Sequence, residues 1–153
     1  MAYNIDILGF NPELTHTTAQ FAVGTRVQGD ASAEYVYVVA GEALTYKKFV
    51  SVNSSHSAAH LTKALADAGN RIGAVAPSGG IASGSYGWVL INGPFHGYFK
   101  NGCLPSVPLY TSATAGALDD TSATQTRIYG VRCTDTATAS NVARTAIFCN
   151  PTT

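Results

Sequence analysis

Charge is what this sequence has least of. Lysine and arginine total nine, aspartate and glutamate total nine, and together they make up 12% of 153 residues with a formal net charge of zero. Such a chain projects no long-range field towards phosphate backbones or anionic headgroups. Its basic residues cluster nowhere beyond Lys47-Lys48, so neither a nucleic-acid partner nor a membrane partner is expected. Long apolar runs are also missing. No stretch approaches the roughly 20 apolar residues that cross a bilayer as a helix. The opening MAYNIDILGF has no Lys or Arg ahead of its apolar residues, so it does not read as a secretory signal. The three cysteines, Cys103, Cys133 and Cys149, match no zinc or redox spacing and allow at most one bridge. They are expected to be reduced thiols serving as small core residues.

Apolar side chains make up 46% of the sequence, with much Ala, Thr, Ser and Gly beside them. This is the composition of a folded, β-rich domain and the opposite of a disordered chain, which is apolar-poor and charge-rich. Zero net charge gives a free monomer little colloidal protection, so association with further copies or with a partner is expected.

Periodicity divides the chain into an arm, residues 1–20, and a single β-barrel or sandwich domain, residues 21–153. In the arm Tyr3, Ile5 and Ile7 alternate with polar neighbours, and Pro12 and a Thr-rich run separate them from the body. The arm either docks on its own domain or pairs with the sheet edge of a neighbour. Tyr3, Ile5, Ile7, Leu8 and Phe10 are its candidate partner-binding contacts. From Phe21 the period is close to two. FAVGTRVQ, AEYVYVVA, FVSV, NRIGAVAP, YGWVLI, VPLYTSA, TRIYGVRCT and RTAIFCN read as strands joined by short glycine turns, about eight to ten in all, antiparallel, with GALDDTSATQ as a polar connector. SAAHLTKALADAG is the one helical candidate, with serines ahead as caps and Gly69 as its stop. In GSYGWVLINGPFHGYF, Tyr86, Trp88 and Leu90 fall on one face and Val89 and Ile91 on the other, as a strand buried on both sides requires. Asn92-Gly93-Pro94 then calls for a reversal or a bulge, with Phe95, Gly97 and Phe99 on the returning face.

The patterns that carry chemistry are weak. Ser83 and Ser85 lie among glycines without the G-x-S-x-G frame of a nucleophile elbow. The glycine loop before Tyr86 lacks a phosphate-binding Gly-Lys-Ser/Thr ending. His56 and His60 would share one face of a helix, but no third ligand stands nearby and Ser57 occupies the place of the H-E-x-x-H glutamate. His16 and His96 have no evident partner. Asp119-Asp120 is the one adjacent acidic pair, in a Ser/Thr-rich loop where carboxylates usually serve turns. No catalytic residue, metal site or cofactor is expected. The aromatics admit two readings: core or interface payload, or a sugar-stacking platform built on Trp88, Tyr86 or Tyr98.

The order of segments VGTRVQGDASAEYVYVVAGEALT, NRIGAVAP, YGWVLINGP, GCLPSVPLYTSATAGALDD and RIYGVRC resembles that of the head decoration (cement) proteins of tailed bacteriophages. The resemblance runs from about Val23 onward and is clearest in Gly84 to Gly93 and Leu109 to Val131. It implies a compact β-domain on the outside of a capsid, often trimeric, that bridges major capsid protein subunits and opposes the pressure of packaged DNA. It carries over no catalytic residue. The short helical candidate departs from the pattern. A carbohydrate-binding β-module and a tail or fibre subunit are the alternatives.

Overall fold

The computed structural model describes residues 10–137 and the backbone of residues 142–148. The β-branched and aromatic runs form β1 (Arg26–Gln28), β2 (Glu34–Ala40), β3 (Phe49–Val52), β4 (Ser57–His60), β5 (Arg71–Val75), β6 (Tyr86–Phe99), β7 (Leu109–Thr111), β8 (Leu118–Asp119), β9 (Arg127–Ile128), β10 (Val131–Cys133) and β11 (Val142–Phe148). One helix, α1 (Lys63–Asp67), and a 3-10 turn at Asp30–Ser32 complete the described elements. The expected all-β class holds.

Five strands close on themselves. β2 pairs with β4, β4 with β3, β3 with β5, β5 with β6, and β6 returns to β2. Closure leaves no unpaired edge within the ring. The ladder is not wholly antiparallel as expected: β2 with β4 and β6 with β8 run parallel. Along the barrel strands one alternate set, Val36, Val38, Ala40, Val50, Val52, Ala58, Val75, Val89 and Ile91, packs into a single buried cluster. Outward-pointing residues of a closed barrel diverge, so a cluster drawn from all five strands is its interior. The lining is aliphatic and small because five strands enclose little space. At Gly73 a Cβ would overlap Val89 Cγ1.

The other alternate set, with Tyr35, Tyr37, Phe49, Trp88 and Leu90, lies on the outside of the barrel and is nonetheless buried. Phe10, Phe99, Leu109, Leu118 and Ile128 cover it from beyond the ring. The two-sided burial expected of Tyr86 to Ile91 is therefore correct, with one face in the barrel and the other in a second, aromatic layer.

β6 does not reverse at Gly93-Pro94. It continues as one strand of 14 residues, pairing with β2 up to Asn92 and with β11 from Gly93 to Phe99. The irregularity is a bulge: Glu34 faces Asn92 while Tyr35 faces Leu90, which leaves Ile91 as the extra residue. Gly93 has φ of +106° and passes so close to Ala33 that a Cβ would stand 2.8 Å from its Cα. Glycine is thus required here for backbone approach, not for a hairpin. Beyond this point β6 joins β11, β10 and the short β7, β8 and β9 in a flanking sheet. Ala117 and Leu118, expected in a polar connector, are buried there.

The helical candidate shrinks to five residues. Ser57 to His60 is strand β4, and Thr62, not a serine, caps α1 by accepting Leu65 N–H at 3.4 Å. Ala58 and Leu61 are buried from extended backbone, because strand pairing on both sides satisfies more backbone groups than a short, costly helix nucleus. Gly69 ends α1 as expected, with φ of +71°.

Candidate interaction surface

The stretch from Phe10 to Phe21 is a strap across the barrel's aromatic face. Phe10 stands edge-on to Trp88 with ring centroids 4.6 Å apart, and Phe21 meets the same indole at 5.3 Å. Between them Asn11 caps a turn at Pro12-Glu13 by accepting Glu13 N–H, and Glu13 Oε2 accepts Ser78 N–H at 2.8 Å. His16 pairs with Tyr86 by two backbone hydrogen bonds of 2.8 Å. Residues 10–20 therefore dock on their own domain, one of the two placements open to the arm.

This placement sorts the candidate arm contacts. Tyr3, Ile5, Ile7 and Leu8 lie outside the described residues. Phe10 is 2% exposed, its ring packed in the chain's own core. Trp88 is fully buried and cannot stack on a sugar. Beside the strap lies a cleft of 230 Å³, walled by Tyr46, Phe95 and His96 as well as Pro12 and Glu13. Leu14 within the strap and Val23 just beyond it are large apolar side chains left exposed, as are Leu104 and Tyr129 elsewhere among the described residues. Periodicity offers no signal for these four, because it marks a face and not what lies over it.

His16, His60, Asp119 and Asp120 are engaged in the fold. His16 Nδ1 lies 2.9 Å from the Tyr37 hydroxyl, which also accepts Gln20 N–H, so His16 has the partner that the sequence did not reveal. His60 and His56 share no helix face: His60 ends β4, and His56 sits in the preceding turn with φ of +59°. The His60 ring accepts Thr45 N–H at Nε2 over 3.1 Å and meets Glu42 Oε1 at Nδ1, also 3.1 Å. An acceptor at Nε2 requires the neutral tautomer with its proton on Nδ1. Burial lowers the His60 pKa and outweighs the opposing pull of Glu42, while Lys48 lowers it further.

Asp119 pairs with Lys100 at 3.6 Å, and Asp120 Oδ2 accepts Leu104 N–H at 3.0 Å. The two carboxylates thus hold loops together. Neither Ser83 nor Ser85 has a hydroxyl hydrogen-bonded to a histidine among the described residues. Cys103 and Cys133 are buried free thiols in the aromatic layer. Burial, then the neighbouring Cys133 and Asp120, pushes Cys103 up to about 12, which removes the thiolate a nucleophile needs. Cys149 lies outside the described residues. Among the described residues no group of three His, Cys, Asp or Glu side chains is placed to hold a metal ion, and no helix is long and apolar enough to cross a membrane. No protein-family model matches the chain, and a search of curated proteins finds no significant match.

Proposed function

We propose that this chain is a structural virion protein that binds the outer surface of a phage capsid and stabilises it by bridging major capsid protein subunits. The observation that carries this reading is the anchoring of the strap. Phe10 is fixed against Trp88, so the apolar Tyr3, Ile5, Ile7 and Leu8 precede a point held rigidly on the barrel wall. A short apolar segment tethered in this way gains a neighbour at high effective concentration, and its alternating pattern suits strand addition to a subunit's edge. Three further features support the reading: the resemblance in segment order, the low charge, and the use of His16, His60, Asp119 and Asp120 in the fold. Self-association, as a trimer in the family resembled, belongs to the same proposal.

The test is deletion of residues 1–9 with Phe10 kept. The shortened chain is expected to melt at the temperature of the full chain and to lose co-sedimentation with shells of its cognate major capsid protein. Unchanged co-sedimentation would refute the arm's role. Electron microscopy of particles carrying the full chain is expected to show it on the head exterior, and density on a tail or fibre would overturn the capsid assignment.

A further inference from the structure

Away from the strap, the barrel opens at one end. β2 gives Glu34–Val36 to β1 and only Val39 and Ala40 to β4 along the same edge. β1 therefore runs clear of the ring, and a cleft of 320 Å³ opens between it and the far ends of β3 and β5. Arg26 of β1, Arg71 of β5, His56, Asn53, Ser54 and Asn70 contribute its polar wall.

The charged side chains of that wall, Arg26 and Arg71, are both cationic. Arg71 is exposed and has no acidic partner among the described residues. Arg26 has one, Glu34, at 3.6 Å from Nη1, which leaves most of a five-donor guanidinium unengaged. Asn53 Oδ1 is consumed by Ser55 N–H, Ser55 Oγ and Ser57 N–H, so the amide group it has left to offer is its NH2. The His56 ring is pressed against Gly24, where a Cβ would stand 2.5 Å from Cε1. Side-chain donors from separate elements, two of them cationic, thus share one cleft.

The geometry points to an oxyanion site at this open end of the barrel, taking a carboxylate or a phosphate group between Arg26 and Arg71. Planar guanidinium forks match both groups through paired, charge-assisted hydrogen bonds. Glu34 is the competing anion, and a ligand must draw Arg26 from it across a long contact. The site is independent of the capsid reading.

The test is a titration of the isotope-labelled full chain, followed by amide chemical shifts, with glutarate and separately with inorganic phosphate at constant ionic strength set by sodium chloride. Saturable shifts confined to Arg26, Asn53 to His56, and Asn70 to Arg71 are expected. In Arg71→Ala and in Arg26→Gln the half-saturating concentration is expected to rise about tenfold with the melting temperature unchanged. Tighter glutarate binding would identify a protein carboxylate as the natural ligand, and tighter phosphate binding a phosphorylated or free phosphate ligand. Shifts that grow linearly with both anions, or that saturate equally in both variants, would overturn the site.

Discussion

His60 shows how a single side chain is claimed by the fold. Its two ring nitrogens bind Thr45 and Glu42, both in the loop between β2 and β3, to the end of β4, and Glu42 Oε1 also accepts His60 N–H at 2.6 Å. Protonation would destroy the Thr45 contact by filling the Nε2 lone pair. Because burial lowers the folded-state pKa below the ordinary 6.5, the unfolded chain binds the proton first. Stability from this group is present above pH 6.5 and declines as pH falls through the interval below it. Urea midpoints measured from pH 7.5 to pH 5 are expected to fall, and to fall less in His60→Gln. An equal fall in both chains would remove His60 from the account.

At the scale of elements, the strap and β6 depend on each other. Phe10 contacts Trp88 and Tyr35, which project from neighbouring strands, β6 and β2, on the barrel's outer wall. Without the strap, that wall would expose an indole and two tyrosines to water. Phe10→Ala is expected to destabilise the domain by about 3–5 kcal/mol, the usual range for removing a buried phenyl group, read as a shift in urea midpoint at constant slope. Deletion of residues 1–9 is expected to leave that midpoint in place. The contrast separates the anchor from what it anchors, a distinction invisible in the alternating pattern of Tyr3 to Ile7.

For the molecule as a whole, β6 is the shared member of two sheets. Its first half closes the barrel and its second half carries β11, and the aromatic layer runs from Phe10 past Trp88 to Phe99, Leu118 and Cys133 without interruption. A core continuous across both sheets binds them into one cooperative unit. Unfolding followed by Trp88 fluorescence, which reports the barrel wall, and by far-ultraviolet circular dichroism, which reports all strands, is expected to give coincident transitions. Two separated transitions would show that the flanking sheet unfolds by itself.

Local pattern alone determined the β class, because alternation of β-branched and aromatic residues has a period no helix can use. It also determined β3 at Phe49–Val52, the two-sided burial around Trp88 and the stop at Gly69. Tertiary structure decided what pattern leaves degenerate. Asn92-Gly93-Pro94 reads equally as a reversal or a bulge, and it is a bulge because Gly93 serves close passage over Ala33, a contact between residues some sixty positions apart in sequence. Ala58 and Leu61 have helical spacing, yet pairing with β3 and β2 draws Ser57–His60 into a strand. Phe10 belongs to an arm by its position and to the core by its contacts. The oxyanion cleft joins Arg26, Asn53 and Arg71, which have no motif in common. Spacing along a chain fixes periodicity, whereas ring closure and the pairing of distant strands fix proximity, and a site is a matter of proximity.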